Sequence, residues 1–277
     1  MKTILVLTDF SKKAEHAAEM AMEIAVAANA QIQLHTTFHA PQVFPSDVGV
    51  YPFFEDYSEE EKISTGKLKE LAEKLKKKAG GRDIPVISCK SEPGTLAENI
   101  EGLNPWLIVM GGKSKASALS SFVFGSNTSA IMDKASCPVL IIPENAQLRP
   151  FKKIMFATDL QPSEKNALLF LEEFGRFWRA RIMVLHVSMS YDSGDVWDEQ
   201  YDYLNDIVSD KHPTMHYSDV RGTDVVGAIS SYAGREGIDL VAIAHKKRSL
   251  IGQLLHKSIG KDMLNYENVP VLILHRS

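Results

Sequence analysis

The feature that most constrains this chain is an internal repeat. Lys2-Thr3-Ile4-Leu5-Val6-Leu7-Thr8-Asp9 returns as Lys152-Lys153-Ile154-Met155-Phe156-Ala157-Thr158-Asp159. Ile32-Gln33-Leu34-His35 returns as Met183-Val184-Leu185-His186, and Gly94-Thr95 as Gly222-Thr223. Cys137-Pro138-Val139-Leu140-Ile141-Ile142 returns as Val269-Pro270-Val271-Leu272-Ile273-Leu274. The matches keep their order, and their changes of offset fall in loops or at helix ends. One fold is therefore used twice. The repeat divides the 277 residues into units at 1–145 and 150–277, each long enough to bury its own core.

Within each unit, short apolar runs alternate with helical patterns. The first run is followed by Ala14, Ala17, Ala18, Ala21, Ile24, Ala25 and Ala28 at helical spacing, with Ser11 as the expected N-cap. A second strand is predicted over Gln31 to Phe38. A helix is predicted over Ser58 to Ala79 with Leu68, Leu71 and Leu75 inward, and a third strand over Ile84 to Cys89. A short helix should open at Gly94-Thr95, and its counterpart should run longer, from Thr223 to about Arg235. The lysines at 74, 76, 77 and 78 suit a solvated helix C-terminus. Strands alternating with helices imply a parallel sheet with helices on both faces.

Trp106-Leu107-Ile108-Val109-Met110 reads as a buried strand that breaks on Gly111-Gly112 into a loop, and Gly125-Ser126-Asn127-Thr128 then opens a helix. Glycines admit a ligand close to the backbone, and a helix N-terminus offers free N–H donors to an anion. Ligands in open parallel sheets bind at the carboxyl ends of the strands, an edge that here gathers Thr8-Asp9, Thr36 and Met110-Gly111.

The stretch resembles the nucleotide motif of the universal stress protein family, G-x2-G-x9-G-[ST]. Gly111, Gly125 and Ser126 match its first glycine, last glycine and hydroxyl. Ser114 stands where the second glycine belongs, and one extra residue precedes Gly125. The resemblance implies an α/β fold of the Rossmann-like, adenine-nucleotide alpha-hydrolase type: two tandem open five-stranded parallel sheets. Because the family commonly pairs through its last strand, it also implies an internal pseudo-dimer with Val139–Ile142 beside Val271–Leu274. ATP or a related adenine nucleotide is the implied ligand, with Mg²⁺ entering only alongside ATP. Asp9 would take the adenine or ribose side, near Thr36 and Met110. Gly111, Ser114, Gly125, Ser126, Asn127 and Thr128 would line the phosphate side, with Lys113 or Lys115 adding positive charge.

Each residue has a structural alternative. Asp9 could close an Asx turn before the first helix, Ser126 and Thr128 could cap a helix, and the two glycines could simply turn the chain. In the second unit, Ala244, Lys247, Lys257 and Ser258 fall at the motif's spacing, but every glycine is gone. That half is not expected to bind ATP. Lys246, Lys247, Arg248, Lys257 and Lys261 read as a solvated basic edge or a site for a smaller anion.

A net charge of −4 gives no reason to expect a nucleic-acid surface. No apolar run reaches the roughly 18 residues of a membrane span, and the N-terminus reads as a strand rather than a signal peptide. The expected compartment is therefore the cytoplasm. Cys89 and Cys137 make no disulfide framework or zinc site. His35 and His186 fall at matching places in the repeat, which suggests a structural role. No metal site and no nucleophile–base pair is evident. The reading is a non-catalytic stress-response binding or signalling module with nucleotide in its N-terminal half only. The protein partner is unknown, and the protein is a pseudo-dimeric monomer or a homodimer. The alternatives are a slow nucleotide hydrolase and a dimeric scaffold that binds no nucleotide. The loop 39–57, rich in aromatic residues, would cover the N-terminal site or an interface.

Overall fold

A computed structural model describes residues 1–38, 58–80, 82, 87–112, 126–189, 212–245 and 268–275. The first half runs β1 (Thr3–Leu7), α1 (Lys12–Ala28), β2 (Gln31–Phe38), α2 (Ser58–Ala79), β3 (Ile87–Pro93), α3 (Leu96–Asn99), β4 (Leu107–Gly112), α4 (Ser126–Lys134) and β5 (Val139–Pro143). The second runs β6 (Lys153–Thr158), a 3₁₀ turn (Pro162–Glu164), α5 (Lys165–Arg176), β7 (Arg181–Met189), β8 (Met215–Gly222), α6 (Val225–Glu236), β9 (Leu240–His245) and β10 (Val271–His275). Among the described residues, no helix is long and apolar enough to cross a membrane.

The ten strands form one sheet in the order β3-β2-β1-β4-β5-β10-β9-β6-β7-β8. Each half is a parallel, doubly wound set of five. The halves meet where β5 and β10 pair antiparallel, Leu140 facing Leu272 with Val139 opposite Ile273 and Ile141 opposite Val271. This is the pairing that the resemblance implies. Period-two alternation splits the apolar residues into two layers. Ile4, Val6, Ile154 and Phe156 join α1, α2 and α5 on one face. Leu5, Leu7, Met155 and Ala157 join the other, with Ile131 of α4 and Ile229 of α6. Both layers continue across the seam.

Capping explains several boundaries. Thr95 closes a capping box with Glu98 at the start of α3. Asn29, left-handed at φ 49°, ends α1. The third strand is described from Ile87 and continues past its expected end at Cys89 to Pro93; its expected start at Ile84 lies outside the described residues. The lysines at the end of α2 are exposed, as expected, and several of them also pair with glutamates. Lys74 pairs with Glu15 and Lys78 with Glu19 of α1, Arg82 pairs with Glu23, and Lys76 pairs with Glu73 of its own helix.

Strand register corrects one match. Ile4 and Ile154 both open onto β2-type neighbours, Ile32 and Ile182, so the offset between halves is 150 at both strands. The counterpart of His35 is therefore Leu185, and that of His186 is Thr36. A slip of one residue reverses the face of a strand side chain, so the two histidines lie on opposite faces of the sheet.

Candidate functional site

The carboxyl end of β1 is held by β2. The Thr8 amide donates to the His35 carbonyl at 2.9 Å, and the Thr36 hydroxyl donates to the Thr8 carbonyl at 2.8 Å. The Thr8 hydroxyl then accepts the Phe10 amide at 3.0 Å, fixing Phe10 in the left-handed region at φ 60°.

Asp9 is presented by this turn. Its Oδ1 accepts the Ser11 amide at 3.1 Å and the Ser11 hydroxyl, and its Oδ2 lies 3.5 Å from the Lys13 ammonium. The Asx turn is thus formed. Ser11 occupies the N-cap position of α1, but its hydroxyl serves Asp9 and makes no cap bond. Partial burial alone would raise the Asp9 pKa; the bonds from Ser11 and the charge of Lys13 outweigh it and hold the carboxylate below its ordinary value. The side chain remains 56% exposed, leaving an ionised acceptor at the sheet edge. A sugar hydroxyl or an exocyclic amine could donate to it.

Gly111 and Gly112 do not break β4; the strand runs through both. A Cβ on Gly111 would sit 2.7 Å from the Lys13 carbonyl oxygen and 2.9 Å from the Ala14 amide nitrogen. A Cβ on Gly112 would meet Ile141 at 2.8 Å. Gly111 therefore lets the first turn of α1 pack directly against the strand end, which is also how Lys13 comes to reach Asp9. Met110 is buried in the layer beneath α4. Ser126, Asn127 and Thr128 form the first turn of α4, with Thr128 buried. Ser114, Gly125, Lys113, Lys115 and the loop 39–57 lie outside the described residues. The structure thus gathers Asp9, Thr36 and Gly111 at one sheet edge, with α4 starting in the same half. Sequence reasoning missed the supporting role of Thr8, Ser11 and Lys13; the signal was the Thr-Asp pair at both copies and a lysine four residues past Asp9.

The second copy starts alike and then departs. The Thr158 hydroxyl accepts the Leu160 amide at 2.8 Å, Leu160 is left-handed at φ 59°, and His186 Nδ1 lies 3.1 Å from the Thr158 carbonyl, where Thr36 serves the first copy. Ala244, fully buried, stands in the place of Gly111. The first helical turn has become the 3₁₀ segment Pro162–Glu164, and α5 starts only at Lys165. Glu164, at the position of Ala14, is fully buried and accepts the Thr158 hydroxyl. Lys246, Lys247, Arg248, Lys257, Ser258 and Lys261 lie outside the described residues. No cluster of three or more potential metal-binding side chains occurs among the described residues.

Comparison with known proteins places the fold. The model of the universal stress protein family matches twice, over residues 1–143 and 150–275. A universal stress protein from Archaeoglobus fulgidus DSM 4304 is structurally similar at TM-score 0.71 and 14% identity, with 99% of this chain and 98% of that chain covered. A putative universal stress protein from Pseudomonas aeruginosa UCBPP-PA14 is similar at TM-score 0.58 and 16% identity, covering 100% and 94%. A universal stress protein in complex with cAMP aligns over 51% of this chain and 96% of its own, with 19% identity and TM-score 0.36. No curated protein gave a match.

Proposed function

The chain belongs to the universal stress protein family, with two copies of the domain in tandem, and on that premise we propose that it is a non-catalytic stress-response module binding ATP or a related adenine nucleotide in its N-terminal half only. The units are 1–145 and 150–277, and the protein works in the cytoplasm. One observation carries the asymmetry: the two copies share the Thr-Asp turn, but only the first seats a helix start on glycine. There, Lys13 holds an ionised, half-exposed Asp9 at the strand ends. In the second copy, Ala244 and the 3₁₀ segment replace that arrangement.

These residues fit an adenine nucleotide. Asp9 would accept from the ribose or the adenine amine. Gly111 and the first turn of α4, with Ser126, Asn127 and Thr128, would face the phosphates beside Ser114 and Gly125. Helix N-terminal N–H groups suit that charge. Mg²⁺ would enter with ATP, screening its phosphates. The output is a nucleotide-dependent surface read by a protein partner.

Thermal unfolding with and without millimolar ATP and Mg²⁺ tests the reading, with Asp9→Ala and Gly125→Lys as variants. Nucleotide at about 100 times its dissociation constant stabilises the native state by about 2.7 kcal/mol. That shift should appear in the wild type and fall away in both variants. No shift in the wild type sinks nucleotide binding and leaves the scaffold reading. Mg²⁺-dependent phosphate release would move the protein to the hydrolase class.

A further inference from the structure

We propose that His35 is a proton-operated latch on the Asp9 turn and, through that turn, on nucleotide affinity; the second step rests on the nucleotide reading above. His35 is fully buried on β2, and among the described residues neither ring nitrogen has a hydrogen-bond partner. Buried polar side chains are normally paired, so an orphaned imidazole calls for a reason. Packing does not supply one. The same position in the second copy holds Leu185, equally buried, so the fold accepts an apolar side chain there.

The main chain of His35 is what ties it to the site. Its carbonyl accepts the Thr8 amide, and the next residue, Thr36, donates its hydroxyl to the Thr8 carbonyl. Thr8 is thus gripped from both sides, and Asp9 follows it directly. Among the described residues, the charged side chains acting on the imidazole both come from β3. Glu92 Oε2 lies 3.8 Å from Nε2, and the Lys90 ammonium lies 2.9 Å from that same oxygen. On β1 the neighbour in register is Leu7, which carries no charge.

Burial disfavours the imidazolium, and Lys90 adds to that, while Glu92 opposes it; the net effect holds His35 neutral below its ordinary range. Once protonated, the ring needs an acceptor, and Glu92 stands just beyond hydrogen-bond reach. Closing that gap draws the end of β2 toward β3 and away from β1. The two bonds that grip Thr8 run in the opposite direction, so they loosen, and the Asp9 turn loosens with them.

Amide hydrogen exchange on the full chain tests the latch without nucleotide. Protection of the Thr8 amide should fall about tenfold between about pH 7.5 and about pH 5.5 in the wild type, and stay nearly constant in His35→Leu, the residue the second copy already uses. ATP–Mg²⁺ affinity over the same range, by calorimetry, should weaken more in the wild type than in the variant, whose profile supplies the nucleotide's own titration. Equal responses of Thr8 protection in the two proteins overturn the latch. Equal affinity profiles overturn its coupling to the ligand. If ATP binds neither protein at any pH, the nucleotide reading fails, and exchange at Thr8 alone decides the latch.

Discussion

Gly111 carries a packing role that its place in a nucleotide motif conceals. A methyl group there meets the backbone of Lys13 and Ala14 at 2.7–2.9 Å, and main chain cannot swing aside as a side chain can. Gly111→Ala should therefore destabilise the protein by about 1–3 kcal/mol through overpacking, measured by urea unfolding. Ala244→Gly, where the second copy has already rewound its helix start, should cost about 1 kcal/mol or less. His35 makes a second prediction at this scale. Its folded pKa lies below the unfolded value of about 6.5, so above that pH both states are neutral and no penalty arises. As pH falls below it, the unfolded chain takes up a proton before the native ring does, and stability is lost until the native ring titrates as well. His35→Leu should remove that part of the acid slope, seen as a flatter midpoint against pH. Residue roles were the least legible from sequence. Letter matching paired His35 with His186, because Leu-His occurs in both copies one residue out of register. The Asp9 turn was readable in kind, since Asx turns are local, but its grip by β2 is a contact across 28 residues that no local pattern encodes.

Elements were far more legible, because periodicity is a property of neighbours in sequence. Helices α1 and α2 fell where spacing put them. The same spacing builds a ladder along them: Glu15–Lys74, Glu19–Lys78 and, just past the end of α2, Glu23–Arg82 share one sequence separation, so the helices run parallel in register. These pairs are largely exposed, and each should contribute no more than about 1 kcal/mol. Reversing Glu19 to Lys should lower stability by about that much at low salt, and the loss should shrink as salt screens the pair. A loss that ignores salt would deny the ladder its electrostatic character. Strand β4 departs from its sequence expectation at the end for a physical reason: two glycines usually mark a turn, whereas here they admit a helix on one side and Ile141 on the other. The part of the candidate site at Ser114 and Gly125 lies outside the described residues, so the motif itself is known from sequence alone.

At the scale of the whole molecule, the repeat gave two units, and the family resemblance supplied how they join; periodicity could not, because both edges of a five-stranded sheet look alike in sequence. The seam is more than β5 against β10. Trp106, from the first half, packs on Phe170, Phe174 and Phe177 of the second at ring separations of 5.6, 6.1 and 5.8 Å. Lys2 caps the cluster, 4.7 Å from the Trp106 ring and 4.5 Å from that of Phe177, and pairs with Glu173 at 2.6 Å. With one continuous sheet and two apolar layers crossing the seam, neither half is free to unfold alone, and thermal unfolding should be a single transition. Trp106→Ala tests this. It should cost about 3 kcal/mol, at the low end for a large aromatic because the residue is only partly buried. The loss should lower amide protection in β1 and β6 together. Trp106→Phe should cost far less, within about 1 kcal/mol, because the indole N–H is buried without an acceptor among the described residues and its removal forfeits no bond there. If Trp106→Ala instead splits unfolding into two steps, with β1 weakened and β6 untouched, the halves are separate folding units that merely share an edge. Any nucleotide signal from the N-terminal half would then have no mechanical route to the other.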